Sequence, residues 1–170
     1  VRDRVGGYLT DEEGFHADVV AAVVPVAGEN PLDARARTSA LAQLRDTRGE
    51  ELGVLAAGFK RAKNILKKDS AAGAPEAGLL QESAERALFE AFTQVDGRVA
   101  EAQREHRYAD AFTELAALRA PIDAFFDGVM VLVDDPAVRT NRLRLLGRIV
   151  DRVQGLADLS RVAVAEEQKV

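Results

Sequence analysis

Apolar residues recur through most of the chain at intervals of three and four, the period of a helix buried along one side. From Val1 to about Ala27 the pattern predicts two short helices broken near Gly14, with Val19, Val20, Val23 and Val24 on the inner face and Pro25 ending the run. Asn30-Pro31 starts the next helix, which should reach about Arg45: the asparagine can cap free amides, and proline at the first helical position gives up no needed donor. Thr47 and Glu50 have capping-box spacing, and Leu52, Leu55, Phe59, Ala62, Ile65 and Leu66 then form one stripe that stops at Asp69. Residues 70–75 have neither periodicity nor large apolar side chains and read as a flexible connection.

Beyond it, the spacing predicts a long helix from about Glu82 to Glu105 carrying Leu88, Phe92, Val95 and Val99, then a shorter one from Tyr108 to Leu118 with Phe112 and Leu115 inward. Pro121 opens a helix containing Phe125, Phe126, Val129 and Met130, and Asp135-Pro136 starts a last one reaching about Ala157. The expected organisation is a helical segment over 1–69, a connection over 70–81 and a second helical part over 82–170, all-α throughout.

Composition supports that class: alanine, leucine, valine, glutamate and arginine dominate, aromatics are 5% and tryptophan is absent. Cysteine is absent, which excludes disulfides, thiolate metal sites and a cysteine nucleophile, and fits a cytoplasmic chain. Neither a membrane span nor a signal-peptide pattern is present, and the start at Val1-Arg2-Asp3-Arg4 reads as that of a piece of a longer protein. The net charge of −5 argues against nucleic acid, but its distribution changes the picture. Residues 59–69 sum to +4 and residues 136–170 to +3, against −8 over residues 76–135.

The first basic stretch holds Lys60, Arg61, Lys63, Asn64, Lys67 and Lys68 without an acid among them. At about 100° per residue they occupy the arc opposite Leu52, Leu55, Phe59 and Leu66, where lysines can neutralise phosphates while Asn64 pairs with a base edge or ribose. The plainer reading is a solvated helix end whose lysines suit the helix dipole. In the second stretch Arg139 and Arg142 fall among Val138, Leu145, Leu146, Ile149 and Val153, whereas Arg144 and Arg148 point away as phosphate contacts. A charge on an apolar face needs a partner, so Arg142 is expected to pair with Asp127 or Asp123. Phe125 and Phe126 read as core before they read as base-stacking surfaces, and Tyr108 is a weak contact candidate. His16 and His106 lack metal-ligand spacing, and no catalytic constellation or phosphate loop occurs, so no cofactor is expected on this chain.

The run from Leu115 to Val131, with Leu118-Arg119, Pro121-Ile122-Asp123, Phe125-Phe126-Asp127 and Val129-Met130, resembles a signature of the bacterial glycyl-tRNA synthetase β-subunit family. So do Asp134 to Leu146, the closing Ala157-Asp158-Leu159-Ser160, Phe59 to Leu66, and Arg2-Asp3-Arg4-Val5 with Glu13-Gly14-Phe15. This resemblance covers most of the chain and implies a helical bundle of the DALR anticodon-binding type. It implies a role in gripping tRNA for glycine, with ATP and glycine handled by a separate α subunit in an α2β2 assembly and no chemistry on this chain itself. The alternatives are an anticodon-binding domain of a related synthetase such as arginyl, or a helical interaction domain whose acidic middle docks on a basic protein.

Overall fold

The computed structural model describes residues 1–163, and every regular element among them is helical. Eight α-helices follow in order: α1 (Arg2–Gly7), α2 (Ala17–Ala27), α3 (Pro31–Thr47), α4 (Gly49–Lys68), α5 (Ser83–Arg104), α6 (Tyr108–Ala116), α7 (Arg119–Gly128) and α8 (Pro136–Gln154). A widened turn over Tyr8–Glu12 continues α1, and short 3-10 turns occupy Ala77–Leu79 and Leu159–Arg161. No helix among the described residues is long and apolar enough to cross a membrane.

Helix starts follow local chemistry. The Asn30 side chain accepts from the amides of Leu32 and Asp33, and that of Asp135 from Ala137 and Val138. Both caps precede a proline at the first position, which fixes the backbone and needs no acceptor. A capping box opens α5, with the Glu85 side chain returning to the Glu82 amide. Gly14, at φ 75°, turns the chain between α1 and α2 in a region disfavoured for other residues.

Three expectations are corrected. Pro25 lies inside the last turn of α2, which runs to Ala27. Thr47 does not cap α4; its hydroxyl donates back to the Gln43 carbonyl, completing α3, and α4 starts at Gly49 without a side-chain cap. Val129 and Met130 fall outside α7, because the backbone turns extended at Val129; Val129 is buried and Met130 exposed.

The stripes meet in one hydrophobic cluster drawing on both sides of the 70–81 connection, from Leu41, Leu52 and Phe59 to Leu88, Phe112, Phe125 and Leu145. Each such side chain contributes about 1.5–3 kcal/mol on burial. Helix α4 is central, packing on α3, α7, α8 and the closing 3-10 turn, while α5 covers α6, α7 and α8. Where α4 crosses α7 the helices approach so closely that a Cβ on Gly58 would stand 2.4 Å from Ile122 Cγ2. Residues 70–76 form no helix, yet they are fastened to α8. Buried Asn141 receives the Glu76 amide at 2.6 Å and donates to the Glu76 carbonyl at 3.0 Å, and Arg144 donates to the Ala72 carbonyl at 2.9 Å.

Candidate nucleic-acid interface

The C-terminal half of α4 is helical by propensity and amphipathic by spacing. Phe59 and Ala62 are buried, while Lys60, Arg61, Asn64, Lys67 and Lys68 stand exposed on the other side. Among the described residues none of these four cations enters an ion pair, and no acid shares their face before Asp69. Asp69 itself lies 3.5 Å from Arg139. Four solvated charges thus accompany one exposed amide side chain at a helix end, in a chain that is acidic overall.

Lys63 leaves this set. Its ammonium lies 3.2 Å from Asp158 Oδ1 and 5.4 Å from the centre of the Phe59 ring, so it faces the protein. Asp158 is a hub: it also accepts from the Ser160 hydroxyl and the Arg161 guanidinium, and its own amide donates to the Ala22 carbonyl. Burial pushes the Asp158 carboxyl up, but the hydrogen bonds from Ser160 and Lys63 outweigh it and hold it below the usual carboxylate range. Lys63 therefore pins the closing segment onto α4.

The arginines of α8 divide differently from the expectation. Arg148 is exposed and has no ion-pair partner among the described residues. Arg144 is occupied, donating to Ala72 and lying 3.6 Å from Glu76, so its guanidinium holds the connection rather than standing free.

The expected pair of Arg142 with Asp127 or Asp123 is corrected. Both aspartates are exposed on α7, whereas Arg142 points to the first turn of α5 and meets Glu85. Glu85 shares the stripe of Leu88, Phe92, Val95 and Val99 and is fully buried. A glutamate in register with an apolar stripe was the signal for this partner. Asn141 had no comparable signal, because its partners are backbone atoms of a non-helical segment.

Beside the cationic end of α4, an open groove of about 580 Å³ lies between α4 and α7. Its α4 wall runs from Gly49 and Glu50 through Gly53, Val54, Ala57 and Gly58 to Arg61, and its α7 wall is made of Arg119, Ile122, Asp123, Phe126 and Asp127, so both walls carry charges of both signs. The Arg61 guanidinium stacks over the half-buried Phe126 ring, 4.8 Å from its centre, while Phe125 is wholly core. Tyr108 is buried and donates its hydroxyl to Asp33, which removes it as a contact candidate. No group of three or more potential metal ligands occurs among the described residues.

Residues 55–157 match the DALR anticodon binding domain family, a span that contains the cationic half of α4, the groove and the clasp between α5 and α8. Over 151 residues the chain is 40% identical to the glycine–tRNA ligase β subunit of Syntrophotalea carbinolica, covering 89% of this chain and 22% of that protein. It is 42% identical over 149 residues to that of Geobacter sp. strain M21, covering 88% and 21%, and 41% identical over 154 residues to that of Acinetobacter baumannii strain ATCC 17978, covering 88% and 22%. The chain spans about a fifth of the length of these curated relatives. An all-helical bundle with an unpaired cationic helix end, matched over most of its length by this family, belongs to the DALR anticodon-binding domains.

Proposed function

We propose that the chain binds the anticodon region of tRNA for glycine as part of a glycine–tRNA ligase β subunit, without carrying out chemistry itself. The observation that supports this most directly is the exposed face of α4, where Lys60, Arg61, Lys67 and Lys68 surround Asn64 and no acid competes with an incoming phosphate. Lysine and arginine read the charge of the backbone, whereas the Asn64 amide can match donors and acceptors on a base. Arg148 is a further candidate phosphate contact. ATP and glycine would be handled by an α subunit, and the assembly would be cytoplasmic.

Titrating the chain with glycine tRNA and with an anticodon-swapped version tests the reading. Tighter binding of the glycine tRNA, with affinity falling steeply as salt rises, is the expected result. Absence of binding to either RNA at low salt would overturn it.

A further inference from the structure

Where the backbone turns extended after α7, burial alternates along the chain: Val129 and Val131 are 7% and 5% exposed, Met130 and Leu132 72% and 41%. A short apolar segment at the surface has little of its own to hold it still. Here two arginines of α8 fix its backbone. Arg142 Nη1 donates to the Met130 carbonyl at 2.6 Å, and Arg139 Nη1 donates to the Val133 carbonyl at 3.0 Å. The near end is closed by the Val129 amide, which donates to the Phe125 carbonyl in the last turn of α7. Arg142 is also half of the buried ion pair with Glu85, so a charge desolvated at some cost is aimed at the backbone of an exposed methionine.

We propose that Met130 and Leu132 are a preset docking point for another part of the β subunit, which receives them in an apolar pocket rimmed by lysine or arginine. This rests on reading the chain as a portion of a glycine–tRNA ligase β subunit, and it assigns the contact with the remainder of that subunit. The chain spans about a fifth of the length of its curated relatives, so most of the polypeptide available to cover this segment lies outside it. Charge then selects protein over RNA. Asp127, Asp134 and Asp135 flank the segment and are exposed, while the nearby cations Arg139 and Arg142 are already paired with Asp69 and Glu85. Carboxylates around an apolar point repel phosphates and complement a basic rim on a protein surface. Methionine suits the centre of such a contact, because its flexible thioether fills an irregular apolar pocket. Fixing the backbone beforehand lowers the ordering cost of docking.

Met130 is the sole methionine of the chain, so it can report on its own exposure. Hydrogen peroxide converts an exposed methionine to the sulfoxide and spares a covered one. The test follows oxidation of Met130 by peptide mass spectrometry in this chain alone and in the full-length β subunit, each with and without glycine tRNA. Oxidation should be fast in the chain alone and slower by about tenfold or more in the full-length subunit, with tRNA changing neither rate. Met130→Asp, at an exposed position, should leave the melting temperature of the chain unchanged. In the full-length subunit it should speed hydrogen exchange from Val129 to Val133 to the rate of the chain alone. Equal oxidation of Met130 in the chain and in the full-length subunit would overturn the docking point, and tRNA binding measured on the same samples would leave the functional reading standing. Protection of the chain by tRNA makes the segment an RNA contact, protection that grows with the chain's own concentration makes it a contact between copies, and protection only after an α subunit is added makes it a contact between subunits; each of these sinks the assignment.

Discussion

Arg142 and Glu85 form a buried two-point clasp, with Arg142 Nε 3.1 Å from Glu85 Oε2 and Nη2 3.3 Å from Oε1. Glu85 also accepts the amides of Gln81 and Glu82, and Arg142 Nη1 donates to the Met130 carbonyl. One pair thus joins α8, the start of α5 and the strand-like exit of α7, and its polar atoms are satisfied within the core.

Removing one partner leaves the other charge buried and alone. Arg142→Ala should cost about 3–5 kcal/mol in chemical denaturation, whereas Asp127→Ala on the exposed face of α7 should stay within about 0.5 kcal/mol. The double variant Glu85→Leu/Arg142→Met should recover only part of the loss, since it removes the lone buried charge but leaves the Gln81 and Glu82 amides and the Met130 carbonyl without these partners. Equal midpoints for Arg142→Ala and Asp127→Ala would contradict the clasp.

Gly58 sets the crossing of α4 on α7. Alanine there gains about 1 kcal/mol of helix propensity but places a methyl group 2.4 Å from Ile122 Cγ2, on a stiff β-branched side chain in another helix. Overpacking costs about 1–3 kcal/mol, so Gly58→Ala is expected to lower the melting temperature. Gly58→Ala combined with Ile122→Ala should be less destabilising than the sum of the two single changes.

Lys63 and its neighbours should separate on mutation. Lys63→Met breaks the contact with Asp158 and should lower stability by about 1–2 kcal/mol, leaving the salt dependence of tRNA binding unchanged. Replacing Lys60, Lys67 and Lys68 by alanine should leave the melting temperature alone and reduce the salt slope by up to about 0.7 per lost contact. Asn64→Ala should keep the slope and shrink selectivity. An unchanged slope in the triple variant would move the phosphate grip elsewhere.

Two carboxylates predict the acid limb of stability. At Asp158 burial raises the pKa but the Ser160 and Lys63 hydrogen bonds outweigh it; at Asp18 burial is likewise outweighed by the Ala163 amide and by Arg45. A carboxyl whose folded pKa lies below its unfolded value of about 3.9 stabilises the fold above that value and loses the contribution as pH falls through the folded one. Denaturation followed downward from about pH 5 should show stability falling below about pH 4. Asp158→Asn should be less stable at neutral pH and show a shallower acid decline.

Helix identity was legible in the sequence because burial along one side of a helix imposes its period on the residues themselves, and because Asn30-Pro31 and Asp135-Pro136 carry their capping chemistry locally. The cationic arc of α4 was legible for the same reason, since spacing alone sets which residues share a face. Partnerships were not. Whether Arg142 meets Asp127 or Glu85, whether Lys63 faces solvent or Asp158, and whether Arg144 is free or tied to Ala72 depend on which helix ends the packing brings together. Those contacts span 57, 95 and 72 residues of chain, so no local period encodes them. The groove is a property of tertiary structure in the same sense: Gly58 allows α4 and α7 to approach, and only then do Arg61 and Phe126, distant in sequence, stack at its edge.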